Sequence, residues 1–211
     1  MARLVAMAVL AAVLAGCGGG DAAGEAGEPL GLVELVERLR GGGYVVYLRH
    51  GATDPADEDT QPIDVASCEG MRNLTEQGKR QSRELGNAVR ALRIPFGDVL
   101  ASAYCRTRQT AELAFGRYRR DGTLTGFPDA GDPSYETRVR ATRALLARPP
   151  ADGTNTVLVA HVKNLEAAAG VSLAEGEMVV FEPLGGTDSR VVGRVPPEVW
   201  PQLVRRLTRG P

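Results

Sequence analysis

The sequence predicts an α/β protein, a three-layer α/β/α sandwich with a mostly parallel central sheet. Short β-branched runs, "YVVYL", "DVLAS" and "TVLVA", read as strands buried in a core. Between them lie segments with apolar residues at helical spacing. Strands that alternate with helices imply parallel neighbours joined by crossovers.

The first element of the body is a helix, with Leu30, Leu32, Val33, Leu35, Val36 and Leu39 on one face and Gly41 to Gly43 as its stop. Tyr44 to Leu48 follows as a buried strand. From Asp54 to Met71 the chain is irregular and acidic, with Asp54, Asp57, Glu58, Asp59, Asp64 and Glu69. A loop of that length usually serves function or mobility. Thr75 is placed to cap the next helix, which carries Leu85, Val89 and Leu92 and stops before Pro95. "DVLAS" is the second strand and "RTRQTAELAF" the helix after it. A Gly/Pro/Asp loop spans Gly116 to Pro133, and a helix runs from about Tyr135 to Ala147. "TVLVA" is the third strand and leads into "KNLEAAAG". The strands "MVVFEP" and "RVVGRV" and a terminal helix in "PPEVWPQLVRRL" complete a single domain over residues 30–211.

What precedes that domain reads as an export signal. Arg3 is followed by an apolar, small-residue run from Leu4 to Gly16. This is short of the ~20 residues that a spanning helix needs, so residues 1–16 are expected to be a signal peptide. The ending "LAGC" resembles a bacterial lipobox, with Cys17 as the lipidated residue. Residues 17–29, rich in Gly, Ala, Asp and Glu, read as a flexible tether. The expected location is therefore the cell envelope, reached through a lipid anchor only. A formal net charge of -1 gives no electrostatic ground for a nucleic-acid partner. Three cysteines, two histidines and no CxxC spacing argue against a metal site, and no cofactor is expected.

The two histidines occupy the same kind of place. His50 follows the first strand behind Arg49, and His161 follows the third; Arg106 opens the helix after the second. Ligands of an open α/β sheet collect at the carboxyl ends of its strands, so these groups should share one rim. Arginine forks match phosphate oxygens and stay charged. A neutral imidazole is a competent nucleophile toward phosphorus. Gly51 would let backbone and ligand approach closely, and the helix near Arg106 would aim its positive end at the anion. Arg72, Arg80, Arg83, Arg90 and Arg108 read as solvated or rim charges. Asn73 and Asn164 suit a phosphate contact or a turn equally.

Three ordered stretches, "LRHGAT", "SAYCRTRQTA" and "VLVAH", resemble the motifs of the histidine phosphatase superfamily, the phosphoglycerate-mutase-like fold, over about Gly43 to Pro183. The resemblance implies His50 as nucleophile, with Arg49, Arg106 and His161 holding the phosphoryl group; Asn73, by its place before the capping Thr75, is expected to join them. It also implies a small phosphorylated substrate. The expected activity is extracytoplasmic phosphomonoester hydrolysis through a phosphohistidine. The alternative is a non-catalytic lipoprotein that binds a phosphorylated sugar or lipid in the same pocket.

A departing alkoxide needs a proton, and here the chain departs from the family's pattern. One branch of the superfamily has a glutamate after the second arginine motif; this chain offers Asp129, Asp132 and Glu136 there. The other has an aspartate after the second histidine, where this chain has Val162. Glu175 and Glu177 are further candidates, and Glu177, preceding a strand that flanks the site, is the expected acid. Removing Cys17 leaves Cys68 and Cys105, near Arg72 and Arg106. A disulfide between them would pin the acidic loop to the second arginine motif, the alternative being two buried thiols.

Overall fold

The computed structural model describes residues 30–208. The expected signal peptide (residues 1–16), Cys17 and the expected tether (residues 17–29) lie outside the described residues. Helix α1 (Leu32–Gly41) presents Leu35, Val36 and Leu39 to the core. Strand β1 (Val45–Arg49) follows, and helix α2 (Glu76–Ala91) begins where the Thr75 hydroxyl accepts the Gly78 N–H at 3.2 Å. Next come β2 (Phe96–Ala101), α3 (Cys105–Phe115) and a two-residue strand β3 (Arg119–Arg120). Helix α4 (Tyr135–Leu146), strand β4 (Asn155–Ala160) and helix α5 (Val162–Ala169) continue the alternation. Strands β5 (Met178–Gly185) and β6 (Asp188–Val195) and helix α6 (Trp200–Thr208) end it.

The sheet order is β3-β2-β4-β1-β5-β6. The first four strands in that order are parallel, while β5 and β6 form an antiparallel hairpin on the β1 side. Val46 and Leu48 of β1 face a core shared with α1, α2, α3 and α6, whereas Val45 and Tyr47 face one shared with α4 and α5. Burial on both faces is why the strand reads as an unbroken apolar run. Strand β3 had no sequence signal. Arg119 and Arg120 are exposed and join the sheet only by pairing with Leu100 and Ala101. Among the described residues no helix is long and apolar enough to cross a membrane.

Register builds the functional rim. Arg49 pairs with Ala160, and Ala101 with Val159. His50, Ser102 and His161, each at or just past its strand's carboxyl end, therefore emerge side by side.

Candidate active site

The pocket at this rim has a volume of about 310 Å³ and is lined by Arg49, His50, Arg106 and His161, among others. The His50 and His161 ring centroids are 5.6 Å apart.

His50 is held from both sides of its strand. Its N–H donates to the Ala160 carbonyl at 3.2 Å, and its carbonyl accepts the Gly176 N–H at 2.8 Å. Its Nδ1 lies 2.9 Å from the Gly51 carbonyl. A carbonyl only accepts, so Nδ1 carries the hydrogen and the lone pair of the neutral ring is on Nε2. Burial, with the nearby guanidinium charges adding to it, pushes the His50 pKa down to about 4 against the opposing pull of the Gly51 carbonyl and Glu175. His50 is thus unprotonated at neutral pH, as a nucleophile must be.

His161 is half-buried, and desolvation followed by the Arg106 charge holds its pKa well below the usual histidine value. Its Nε2 is 2.9 Å from Ser102 Oγ, which also accepts the Tyr104 N–H at 3.3 Å. The serine hydroxyl can give its hydrogen to Nε2, and in that tautomer Nδ1 is the N–H donor. Arg106 is almost fully buried and stacks under Tyr104, with its guanidinium carbon 4.7 Å from the ring centroid. Of the N–H groups opening α3, those of Cys105, Thr107 and Arg108 bond Met71 Sδ and the Tyr104 carbonyl, while the Arg106 N–H has no partner among the described residues. The Arg106 guanidinium and that one N–H are the donors the helix opening offers here.

Gly51 answers to packing rather than to a ligand. A Cβ on it would stand 2.8 Å from the Gly78 carbonyl of α2, and one on Gly78 would come closer still to the Ala52 carbonyl. The two glycines let α2 close against the segment that carries His50.

Several expectations are corrected by the placement of the side chains. Glu177 is buried outside the pocket; its carboxylate accepts from Arg194 Nε at 2.9 Å and from the Ala174 N–H at 2.8 Å. Both residues precede β5, and the turn there sends the Glu175 side chain, not that of Glu177, toward Arg49 and His50. Glu175 Oε1 lies 3.9 Å from His50 Nδ1, 3.4 Å from an Arg49 nitrogen and 3.6 Å from one of Arg72. The same carboxylate also accepts from the Thr53 N–H at 2.9 Å and the Thr53 hydroxyl at 2.7 Å. Burial would raise its pKa, but those bonds and charges outweigh it and hold the carboxyl below the usual range. Glu175 therefore pairs with Arg49 and Arg72 and sets its charge near the Nδ1 side of His50, while the Gly51 carbonyl is what orients that ring. Asn73 is also displaced from its expected role: its amide donates to the Cys68 and Met71 carbonyls at 2.9 and 2.8 Å and does not line the pocket. Asn164, one turn beyond His161, does line it.

Arg72 faces the pocket rather than solvent, and Asp59, Tyr104, Phe127 and Lys163 join it there. A basic residue in "MRNLT", just ahead of a capping threonine, was the available signal for Arg72. Nothing in the acidic loop distinguished Asp59 from its neighbours. Asp129, Asp132 and Glu136 are exposed, and Asp129 stands 3.9 Å from Lys163. Cys68 and Cys105 form a disulfide, which ties the acidic loop to the residue before Arg106. Among the described residues no group of three or more His, Cys, Asp or Glu is placed to hold a metal ion.

Residues 45–126 match the histidine phosphatase superfamily (branch 1), a span that contains Arg49, His50, Arg72 and Arg106. No curated protein matches the chain. Among solved structures, a phosphoserine phosphatase mutant from Entamoeba histolytica in complex with phosphoserine is 12% identical with a TM-score of 0.51, covering 74% of this chain and 98% of that one. A phosphoglycerate mutase from Thermus thermophilus is 20% identical with a TM-score of 0.50, covering 72% and 98%. The protein histidine phosphatase SixA complexed with tungstate is 17% identical with a TM-score of 0.50, covering 73% and 97%. At these identities the likeness is one of fold: the chain has the phosphoglycerate-mutase-like α/β architecture.

Proposed function

We propose that this protein is a phosphomonoesterase working through a phosphohistidine on His50. The observation that carries this reading is a buried, neutral imidazole whose Nε2 is free for attack, in a pocket shared with Arg49, Arg72, Arg106 and His161. The match of residues 45–126 to the histidine phosphatase superfamily supports the same class of activity. In the first step Nε2 forms a bond to phosphorus, and the bond from phosphorus to the leaving oxygen breaks. The guanidinium groups and the His161 N–H take the equatorial oxygens, whose charge they neutralise as the transfer proceeds. In the second step water attacks phosphorus, the P–N bond breaks, and its electron pair returns to His50. Glu175, 3.9 Å from Nδ1, stabilises by its charge the positive ring that carries the phosphoryl group.

The substrate in this reading is a small phosphomonoester, in keeping with a cavity of about 310 Å³. Export with a lipid anchor on Cys17 is part of the proposal. It is supported by the lipobox-like "LAGC" and by a disulfide of the kind that oxidising compartments sustain. Incorporation of labelled fatty acid by the full chain, abolished in Cys17→Ser, tests the anchor.

The activity is tested with a labelled phosphomonoester and rapid quenching into alkaline denaturant, in which phosphohistidine survives. Wild type should take up label and turn over an aryl phosphate, and folded His50→Ala should do neither. Folded wild type with no turnover and no label would refute the enzyme reading and leave a binding protein.

A further inference from the structure

The acid that serves the leaving group is the missing component of this site, and the lining of the pocket narrows the search. Of the carboxylates the chain offers, Glu177 is paired with Arg194 outside the pocket and Glu175 sits behind the nucleophile, at Nδ1. In an in-line displacement the leaving oxygen departs on the side of phosphorus opposite Nε2. A carboxylate behind the ring does not meet it there. Asp129, Asp132 and Glu136 stand in solvent. Among the described residues, Asp59 is the one carboxylate that lines the pocket.

Asp59 is held in place. Its Oδ1 accepts from Arg106 Nη1 and from the Arg72 backbone N–H, each at 2.9 Å. The next residue is tied across the loop, with the Thr60 N–H on the Gly70 carbonyl at 2.7 Å, and the Cys68–Cys105 disulfide closes the same segment onto α3. Its Oδ2 makes no hydrogen bond among the described residues and is not one of the buried unpartnered atoms, so it is open to whatever enters. One oxygen is anchored on the arginine that receives the phosphate, and the other is free.

Resting on the phosphatase reading above, we propose that Asp59 is the general acid and base of the reaction. Its Oδ2 would protonate the leaving oxygen and then deprotonate the water. In the first step the hydrogen on Oδ2 passes to the oxygen leaving phosphorus, giving a neutral alcohol and an Asp59 carboxylate. In the second, the attacking water gives its proton to that carboxylate while its oxygen bonds phosphorus and the P–N bond breaks. Inorganic phosphate leaves, and Asp59 is again protonated for the next substrate. In the ligand-free pocket, burial alone would raise the Asp59 pKa, but the Arg106 and Arg72 bonds and charges hold it low. A phosphoryl dianion on Arg106 cancels that positive field and adds a like charge beside the carboxyl, and both changes favour the protonated form. The carboxylate with its proton spent is the form that the water step needs.

The test compares wild type with Asp59→Asn on 4-nitrophenyl phosphate and on an alkyl phosphate, in the full chain with its disulfide intact. An aryl leaving group hardly needs an acid, so Asp59→Asn should release one equivalent of nitrophenolate in a burst. It should then accumulate phosphohistidine, because the water step lacks its base. Phosphorylation by the alkyl phosphate should slow by about 100-fold or more, the usual contribution of a positioned acid. Partial recovery of the alkyl reaction in Asp59→Glu would support the role. An equal slowing of phosphorylation by both substrates would overturn it, because Asp59 would then only hold Arg106. Faster reaction with both would also overturn it, because the carboxylate would then only compete with phosphate. So would an alkyl-selective loss that appeared in Glu175→Gln instead. Wild type that neither takes label nor turns over the aryl phosphate would instead refute the phosphatase reading itself, and this proposal with it.

Discussion

Opening the Cys68–Cys105 disulfide should cost the domain much of its stability, and the size of the loss follows from how the chain is cross-linked. The two cysteines are 37 residues apart. In the chain-entropy picture, closing a loop of that length removes disorder worth about 4 kcal/mol at 25 °C from the unfolded chain. The cross-link encloses all of α2 and β2 and only the last residues of the acidic loop, so the unfolded chain regains conformational freedom over a long segment when it opens. For a domain of this size a change of 1 kcal/mol moves Tm by roughly 2–4 °C, so the expected fall is about 8–16 °C. Calorimetry of the domain with and without reductant measures it, and reduction leaves both sulfurs in place. That matters because Cys105 is fully buried, so truncating it would add a packing cost of its own. A Cys68→Ala variant should lose a similar amount and should no longer respond to reductant. A fall below about 2 °C on complete reduction would refute the reasoning, since the loop would then be held by its other bonds.

Four further outcomes are expected. With only two histidines in the chain, imidazole NMR resonances report the site directly: neither should titrate near 6.5, and His50 should show a midpoint near 4. Because the unfolded chain takes up those protons first as pH falls, the stability His50 contributes is complete above pH 6.5 and is lost as pH drops through 4. Denaturant melts across that window check the sign, and stability that rose toward pH 4 would contradict it. Glu175→Gln should move the His50 midpoint lower still, since the Glu175 charge favours the protonated ring; an unchanged midpoint would separate the two groups. Gly78→Ala should destabilise by about 1–3 kcal/mol, because its methyl would press into the Ala52 carbonyl, well inside van der Waals contact; unchanged melting would show that α2 can shift.

What the sequence disclosed and what it withheld divide along a physical line. The architecture and the four groups at the rim were legible because they depend on periodic burial. An apolar strand ends where it leaves the core, and Arg49, His50 and His161 sit at that exit in the sequence itself. Arg106 was legible for a similar reason, at the opening of a helix. The carboxylates were not legible, because their roles are decided by turns and by a loop without periodicity. Glu175 and Glu177 are two residues apart, and only the turn into β5 decides which of them reaches His50. Asp59 is one of six acidic residues in a loop whose path depends on the disulfide and on contacts with Gly70 and Arg72.

That division bears on how the site works. The groups on strand ends and on α3 are anchored to the sheet, and in the proposed reaction they suit the part in which geometry cannot vary: in-line attack on phosphorus and the holding of its oxygens. Leaving groups differ from one substrate to the next, and in this fold the carboxylate offered to them rides on the loop. The disulfide reconciles the two demands. It fixes the loop at Cys68, beside the helix that carries Arg106, and leaves the stretch around Asp59 to be set by Oδ1 on that same arginine. When a phosphoryl group enters, the group that binds the anion is also the group that positions the acid. Substrate binding and proton supply are coupled through Arg106, and a substitution at either residue should be felt at the other.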